Sequence, residues 1–369
     1  MEKKTIVYLN PDCFSDTDLT VLRHLTKEFN VIWFYIYESK KTMRLGIEGA
    51  KQYADKYGIE LHICVLKVRY RDVRNYFFYR NIVQTINRIN PALVYHCSSD
   101  PYLAFATKIS MKCKKVVMGI HDAEYHTYSF SISRQLSKMS RIISLKSHRY
   151  FATFSPNQQT LLKLKYGLDS EMIGMSYKYF GKSCLQPSSV EIGVKLLFFG
   201  SIQKYKGLDL LIEAMEKLRT EGIKKLSLTI AGCGEDWDEY KKLIDTPEMY
   251  DFKVRFIDNS EIPDLMSSHH FLVLPYRDST QSGPLWTALA YDLPIIAPDF
   301  KCFHETYTNK SGILYKYGEL EHALKQVSTI NQREYDSLKI ACTEIKSQFS
   351  EEAIAYNYIN YFRALMRNS

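Results

Sequence analysis

Short apolar runs alternate with amphipathic segments along most of this chain. Between the runs, apolar residues recur at helical spacing, as Leu19, Leu22 and Leu25 do within residues 16–28. The regular alternation of strands and helices predicts a parallel, doubly wound sheet. In the first half we predict strands over Thr5–Leu9, Val31–Tyr37, Leu61–Val68, Leu93–His96, Val116–Ile120 and Tyr150–Phe154, and helices over Asp16–Glu28, Gly46–Tyr57, Phe77–Ile89 and Pro101–Ser110.

The same alternation starts again after a segment of weak periodicity. Between Ser170 and Gly193 the chain is rich in Gly, Ser and Pro, which is typical of a link between domains. We therefore predict two α/β domains of similar size, facing each other across a cleft. Beyond the link we predict strands over Lys195–Phe199, Ser227–Ala231, Val254–Ile257, Phe271–Pro275, Pro294–Ala297 and Gly312–Tyr315, and helices over Gly207–Glu221, Asp236–Asp245, Glu261–Ser267, from about Pro284, and over Glu319–Ser328, Gln332–Phe349 and Glu351–Arg367.

The composition excludes whole-chain disorder and gives little support to a dedicated nucleic-acid binder. Of 369 residues, 46% are hydrophobic and 24% charged, which is a globular composition. The 49 Lys and Arg residues exceed the 41 Asp and Glu residues by 8. This excess is weaker than nucleic-acid binding usually requires, and it suits an acidic substrate or an anionic membrane surface equally well.

Cysteine spacing and hydropathy indicate a reducing, aqueous compartment. The 8 cysteines form no Cys-x-x-Cys pair, so we expect free thiols. The first residues enter a strand directly, without the apolar segment of a signal peptide. No apolar stretch approaches the roughly 20 residues that span a bilayer. We expect a cytoplasmic protein whose contact with a membrane is at most peripheral, on the inner face.

Two lysines and a glycine follow the first strand of the second domain. That strand ends in Gly200, the loop carries Lys204 and Lys206, and Gly207 opens an amphipathic helix. Free N–H groups at a helix N-terminus and nearby ammonium groups form an anion site. A solvated basic turn is the alternative, but the position at the carboxyl end of a strand favours phosphate binding.

Two further loops at carboxyl ends of strands have distinctive sequences. Residues 230–235 read I-A-G-C-G-E, whose glycines either admit a ligand close to the backbone or form a tight turn. Residues 278–283 read D-S-T-Q-S-G and lead into a helix with Pro284 in its first turn. The donors and acceptors of this segment suit a sugar, and a simple capping loop is the alternative.

These three segments, in this order, resemble the donor domain of glycosyltransferase family 4, whose members are retaining enzymes of GT-B fold. The family's G-R-x-x-x-x-K-G loop is similar to residues 200–207, and its A-G-x-G-E sequence appears intact at residues 231–235. Its E-A-x-A-x-G-x-P-V-I helix is similar to residues 287–296. In the first half the likeness is limited to the H-D pair at 121–122 and to Ser155.

The resemblance implies a division of labour between the domains. Residues 1–186 form the acceptor-side Rossmann-like domain, and residues 187–350 form the domain that binds the nucleotide-sugar. The C-terminal helix, residues 351–369, is expected to pack back on the N-terminal domain.

The chain departs from the family pattern at charged positions. Ser201 stands where the family has an arginine, and Ser279 and Thr287 stand where it has two glutamates. The sequence T-Q-S-G at residues 280–283 matches a divergent branch in which it replaces the first glutamate. A paired-glycine loop near the N-terminus is replaced by residues 10–15, N-P-D-C-F-S.

The resemblance implies donor contacts from all three segments. Lys206 is the implied catalytic cation, placed against the charge that grows on the leaving phosphate. In retaining members that phosphate takes the acceptor's proton, and the fold class does not need bound Mg²⁺. We expect no metal and no cofactor beyond the donor substrate. The other implied donor contacts are Gly200, Ser201, Gln203, Lys204, Gly207, Gly232, Gly234, Glu235, Asp278, Thr280, Gln281, Ser282, Gly283, Leu285 and Thr287.

For the first domain, the resemblance implies that His121 contacts the donor sugar as a second catalytic residue. Asn10, Asp122 and His126 are assigned to the acceptor side. A strand-end histidine bonded to a backbone carbonyl is the alternative for His121. Basic residues also interleave with aromatic or aliphatic ones over 67–80 and 131–149, which suits an anionic membrane or a lipid-diphosphate acceptor, with a solvated helix face as the alternative.

The expected function is a retaining, metal-independent glycosyltransferase of hexosyltransferase type. Its partners would be a nucleotide-sugar and a glycan or lipid-diphosphate-glycan acceptor, with no nucleic acid, in capsule, exopolysaccharide or other glycan synthesis. The alternative is a non-catalytic carbohydrate- or nucleotide-binding GT-B module. The missing glutamates favour that alternative, whereas Lys206 and the T-Q-S-G segment oppose it. A nicotinamide dehydrogenase is disfavoured because no G-x-G-x-x-G follows the first strand.

Overall fold

The chain forms two compact units. In a computed structural model the described residues are 2–38, 45–68, 72–123 and 132–367, without the side chains of 132–137. Within them, the first unit lies between residues 2 and 176 and includes residues 350–367, and the second unit is residues 177–349.

The first unit is built on a parallel sheet with the strand order β3-β2-β1-β4-β5-β6-β7. Its helices in the described residues connect successive strands, as a doubly wound topology requires. The strands are β1 (Thr5–Pro11), β2 (Asn30–Glu38), β3 (Glu60–Leu66), β4 (Leu93–His96), β5 (Val116–Ile120), β6 (Tyr150–Thr153) and β7 (Glu171–Met172). The helices are α1 (Ser15–Leu25), α2 (Gly46–Tyr57), α3 (Asn75–Ile89), α4 (Pro101–Ser110), α5 (Ile132–Ser147) and α6 (Pro156–Tyr166).

The second unit repeats this plan with the order β10-β9-β8-β11-β12-β13. Leu196, Leu211 and Leu324, all 0% exposed, form its core between the sheet and two helices, which fixes the strand ends where the candidate loops begin. The strands are β8 (Val194–Phe199), β9 (Leu226–Ala231), β10 (Tyr250–Lys253), β11 (Phe271–Val273), β12 (Ile295–Pro298) and β13 (Gly312–Tyr315). The helices are α7 (Leu208–Thr220), α8 (Trp237–Tyr240), α9 (Ile262–Ser267), α10 (Gly283–Ala290), α11 (Lys301–His304), α12 (Leu320–Ser328) and α13 (Gln332–Lys346).

The C-terminal helix α14 (Glu351–Arg367) belongs to the first unit. The buried ring of Tyr358 packs edge-on against Tyr95 of β4, with the ring centroids 5.6 Å apart. Ion pairs of Arg23 with Glu351 and of Arg363 with Glu28 tie its two ends to the first unit. The expected return of this helix to the first domain, and the two Rossmann-like domains, are confirmed.

Two predicted elements of the second domain were misplaced. The strand predicted over Val254–Ile257 lies one segment earlier, because Tyr250–Lys253 pairs in register with Leu228–Ala231. The apolar side chain that suggested the later strand, Phe256, is 67% exposed. The helix predicted over Asp236–Asp245 ends at Tyr240, where a short 3-10 turn replaces it.

Candidate functional site

The loop after β8 is held in shape by close backbone packing. A short 3-10 turn over Lys204–Lys206 is followed by Gly207, whose φ of 66° is left-handed. A Cβ at Gly207 would lie 2.0 Å from the carbonyl oxygen of Pro275, so no other residue fits there. The loop also accepts a hydrogen bond at the Tyr205 carbonyl from the backbone N–H of Arg277, at 2.8 Å. The β8 and β11 loops therefore form one layer.

The glycines of the β9 loop allow its backbone to pack closely against the β8 loop. A Cβ at Gly232 or Gly234 would lie 1.8 Å from the carbonyl oxygen of Gly200 or Ile202, respectively. The backbone N–H of Ile202 donates to the carbonyl of Cys233 at 2.9 Å. The A-G-C-G-E sequence therefore lets two loops pack backbone against backbone, and direct contact of Gly232 and Gly234 with a donor stays a prediction.

Arg277 links the β11 loop to the β8 loop and to α7 by hydrogen bonds. Its guanidinium donates two hydrogen bonds to the carboxylate of Asp209 in α7, both 2.7 Å long, and a third to the carbonyl of Lys204 at 2.8 Å. Hydrogen bonding to Asp209 raises the pKa of Arg277 above its ordinary value. Sequence analysis missed this pair, because its members are far apart in the chain and belong to no motif.

Lys206 carries a buried ammonium in this layer of loops. Its residue is 6% exposed, and its ammonium lies over the ring of Tyr276, 5.5 Å from the centroid. Among the described residues no carboxylate or carbonyl oxygen contacts this ammonium. Burial lowers the pKa of Lys206 below its ordinary value. Because an uncompensated buried charge is costly, the site favours an incoming anion.

The N-terminus of α10 lies close to the Lys206 ammonium. A Cβ on Gly200 would be 3.0 Å from the Nζ of Lys206 and 3.4 Å from the Cγ of Pro284, the second residue of α10. The Ser282 side chain does not cap the helix and instead lies 3.2 Å from the hydroxyl of Tyr276. A helix start that the Ser282 side chain leaves uncapped and a buried ammonium are both features that favour phosphate binding.

The positions where the resemblance places glutamates have internal bonds here. The Ser279 hydroxyl donates to the Gln281 carbonyl at 3.3 Å, and the Cys302 thiol donates to the Ser279 carbonyl at 3.3 Å. Thr287 is 3% exposed, and its hydroxyl donates to the Gly283 carbonyl at 3.4 Å. Thr287 therefore bonds within the first turn of α10, and the donor contact predicted for it stays a prediction.

The remaining predicted donor residues lie on the same loops and differ in exposure. Leu285 is 2% exposed, so only its backbone N–H can serve the helix terminus. Thr280 and Ser282 are buried, whereas Asp278 and Gln281 are half-buried. The exposed ones are Ser201, Gln203, Lys204, Gly234, Glu235 and Gly283.

In the first domain, His121 lies between two phenylalanines at the carboxyl end of β5. Its ring stacks on Phe14 and Phe154, with centroid distances of 4.7 and 3.9 Å and interplanar angles of 15° and 17°. His121 and Asp122 line a cavity of about 190 Å³ in that domain, together with Arg141. His126 lies outside the described residues. Sequence analysis missed both phenylalanines, which follow β1 and β6.

Asn10, predicted on the acceptor side, is bonded within the first domain. It is 0% exposed. Its amide nitrogen donates to Asp18 at 2.8 Å, and its amide oxygen accepts the Cys97 backbone N–H at 2.6 Å. Both ends of the amide are therefore bonded inside the domain, and the acceptor contact of Asn10 stays a prediction.

Comparisons with known proteins agree with this geometry. Residues 193–331 match the family model described as glycosyl transferases group 1, a segment that contains all three loops. A GDP-mannose:glycolipid 4-beta-D-mannosyltransferase of Xanthomonas campestris pv. campestris is 29% identical over 108 residues. The matched segment covers 28% of this chain and 30% of the length of that relative.

Solved structures match over the whole chain. A glycosyltransferase from Rickettsia africae ESF-5 superposes with a TM-score of 0.73 at 17% identity, covering 100% of both chains. Anabaena HepE, in complex with UDP and glucose, superposes with a TM-score of 0.71 at 14% identity, covering 98% of this chain and 100% of that one. The chain therefore has the GT-B fold, and its second domain matches the group 1 glycosyl transferases over residues 193–331.

Proposed function

We propose that this protein is a glycosyltransferase that takes its sugar from a nucleoside-diphosphate-sugar. The observation that carries the proposal is the buried Lys206 ammonium, which has no anionic partner among the described residues and lies beside the α10 N-terminus. The match of residues 193–331 to group 1 glycosyl transferases supports it. So does the Anabaena structure, which has UDP and glucose bound.

In this proposal the site stabilises the leaving group. When the bond between sugar and diphosphate breaks, negative charge grows on the distal phosphate oxygens. An ammonium and helix N–H groups that are fixed beforehand stabilise that charge without reorganising. Asp278, Thr280 and Gln281 are proposed to bind the sugar hydroxyls, and exposed Gln203 and Lys204 are proposed to support the phosphates.

The finer features rest on the family resemblance. We propose retention of configuration, with the leaving phosphate as proton acceptor, and no metal requirement. The described residues contain no cluster of three or more His, Cys, Asp or Glu side chains that could hold a metal ion. The test of retention compares the anomeric configuration of the product with that of the donor sugar. The name of the Xanthomonas relative specifies a β linkage, so the configuration has to be measured for this protein. Undiminished transfer in EDTA tests metal independence.

The proposed acceptor is a glycan or a lipid-linked glycan, as the glycolipid in the name of the Xanthomonas relative suggests. We place the contact with an anionic membrane on α3, α5 and the residues before α3. Val73, Phe77, Met139 and Ile142 are there 67%, 62%, 59% and 43% exposed. Exposed basic residues accompany them, namely Lys67, Arg74, Arg80, Lys138, Lys146 and Arg149.

Two observations bear on the proposed contact with a membrane. Arg141, which the sequence pattern placed on it, is 9% exposed and lines the His121 cavity instead. No helix in the described ranges is both long and apolar enough to cross a bilayer. Sedimentation with anionic vesicles should therefore show binding that weakens sharply at high salt, because screening shortens the range of surface charge attraction. Equal binding to neutral vesicles contradicts the electrostatic account.

The decisive experiment is a thermal-shift screen with UDP-, GDP-, ADP- and CMP-sugars, followed by a hydrolysis and transfer assay with the donor that binds. Ligand that binds only the native state raises the melting temperature by mass action. Slow hydrolysis of the bound donor supports the enzyme. Binding without any turnover, with a panel of glycan and glycolipid acceptors, supports the non-catalytic binding module that the missing glutamates suggest.

A further inference from the structure

The proposed diphosphate site has fewer buried cations than its ligand has phosphates. A nucleoside diphosphate carries two adjacent phosphates, and Lys206 supplies one buried positive charge. The family resemblance places an arginine on the same loop, but this chain has the uncharged and exposed Ser201 there. The other lysine of that loop, Lys204, is exposed, so a second cation that is held against the protein has to come from outside the β8 loop.

Lys178 comes from a different part of the chain and lies beside α10. Its backbone N–H donates to the Trp286 carbonyl of α10 at 3.1 Å. Two residues later, the Phe180 N–H donates to the hydroxyl of Tyr291 at 3.0 Å, and that hydroxyl donates to the Gly181 carbonyl at 3.1 Å. Residues 178–181 are therefore anchored along α10, and the backbone of Lys178 is fixed in place.

The Lys178 side chain points toward the first turn of α10. A Cβ on Gly283, the first residue of that helix, would lie 4.0 Å from the Nζ of Lys178, with no other heavy atom as close. Gly283 is exposed and has no side chain, so nothing of its own separates that ammonium from the helix N-terminus. Lys206 lies near the same turn, since a Cβ on Gly200 would be 3.0 Å from its Nζ and 3.4 Å from the Cγ of Pro284.

We propose that Lys178 is the second diphosphate-binding cation of this site and that it replaces the arginine missing at Ser201. The inference rests on the proposed function, because its ligand is the diphosphate of the donor. Two ammonium groups near the first turn of α10, which the Ser282 side chain leaves uncapped, match a ligand with two adjacent phosphates. A charge-assisted contact of this kind typically changes affinity about tenfold or more.

The test measures nucleotide binding by calorimetry, with UDP and GDP as probes and uridine and guanosine as phosphate-free references. Lys178→Met should weaken binding of the preferred diphosphate about tenfold and leave nucleoside binding unchanged. Lys178→Arg should retain most of the affinity. The matched control is Lys182→Met, which removes an exposed lysine from the same segment and should change neither constant.

The sharpest test is a rescue variant in which the positive charge is restored at a different position. Ser201→Arg, added to Lys178→Met, should restore diphosphate affinity, since it returns a cation to the loop position where the family has one. Unchanged diphosphate affinity in Lys178→Met, or an equal loss for the nucleoside, overturns the inference. If Lys206→Met weakens diphosphate binding while Lys178→Met does not, the inference alone fails. If neither diphosphate binds the wild type and inorganic pyrophosphate does not bind either, the proposed function fails with it.

Discussion

The segments that follow β1 and β8 occupy equivalent places in the two sheets and bond a buried ionisable group in opposite ways. Both strands have two strands on one side and the remaining strands of their sheet on the other. After β1, the carboxyl group of Asp18 is 2% exposed and accepts hydrogen bonds from Tyr8 at 2.9 Å and Asn10 at 2.8 Å. After β8, the Lys206 ammonium is buried to a similar degree, but the described residues offer it no acceptor.

The difference distinguishes a structural group from a binding group. Burial raises the pKa of Asp18 well above its ordinary value, while the hydrogen bonds from Asn10 and Tyr8 oppose that rise. The Asp18 network is complete within the domain, so it contributes to the fold. The burial of Lys206 is not compensated by an anion among the described residues, and a phosphate bound beside it would offset that cost. The comparison predicts that the first group governs stability and the second governs ligand binding.

The largest expected effect is that of Lys206→Met on donor use. Loss of the cation opposite the leaving phosphate should raise the barrier by about 3 kcal/mol, a rate loss on the order of 10²-fold. The midpoint of thermal unfolding should stay the same or rise, because the variant no longer buries a charge. Initial rates with the donor found in the screen, together with a melting curve, measure both quantities.

Lys204→Met is the control for that experiment, since it removes an exposed lysine from the same loop. It should cost far less activity, as a solvated charge interacts weakly. Equal losses in both variants would show that burial does not distinguish the two lysines. Unchanged turnover in Lys206→Met would remove Lys206 from the mechanism.

Asp18→Ala should have the opposite profile. It leaves the Tyr8 hydroxyl and the Asn10 amide without their buried acceptor, so we expect a loss of about 3 kcal/mol in the free energy of unfolding. Asp18→Asn retains one acceptor oxygen and should lose less. Urea denaturation measures the change, and calorimetry on the folded fraction should show unchanged nucleotide affinity. A fall in affinity without a fall in stability would mean that the β1 loop also binds ligand.

Sequence analysis recovered the fold because strand–helix alternation and motif position are local properties. Strands β4, β5 and β13 and helix α14 were predicted with the bounds that the structure has. The shift of β10 arose because the apolar residue Phe256 is exposed, and hydrophobicity alone does not show which strand pairs in register.

For the candidate site, the sequence predicted which loops meet but not how charges are compensated. Asn10 and Asp18 are eight residues apart and only the fold shows that they bond. The burial of Lys206 and the position of Lys178 beside Gly283 likewise depend on tertiary packing. A motif records residue types in one segment, whereas the balance of charges at a site sums contributions from segments far apart in the chain.

A third test of the comparison uses pH, since burial lowers the pKa of Lys206. A bound phosphate favours the charged ammonium, so affinity for a nucleoside diphosphate should fall as pH rises through the lowered pKa. Above pH 7.5 the terminal phosphate, with a pKa of about 6, is already ionised and does not contribute. Calorimetry between pH 7.5 and 10 should therefore show a several-fold decline, which Lys206→Met abolishes. A decline that persists in Lys206→Met would assign the titration to another group.

The stability of the ligand-free protein should also depend on pH through Lys206. Because its lysine binds a proton less tightly than the unfolded chain does, the free energy of unfolding should rise with pH across the interval between the two pKa values. Lys206→Met should lack this rise.

The smallest expected effect concerns Ser279, where the family pattern has a glutamate. Its hydroxyl and carbonyl are both engaged, with Gln281 and Cys302, so the loop is already stabilised without a carboxylate. A carboxylate at this position would lie near the proposed diphosphate and repel it. Ser279→Glu should therefore fail to raise donor use, whereas Thr280→Ala and Gln281→Ala should each lower it. Ser279→Gln, which has a similar volume and no charge, separates crowding from repulsion. A several-fold gain with Ser279→Glu would mean that the site has lost a residue it needs, and the non-catalytic binding module would then become the better description.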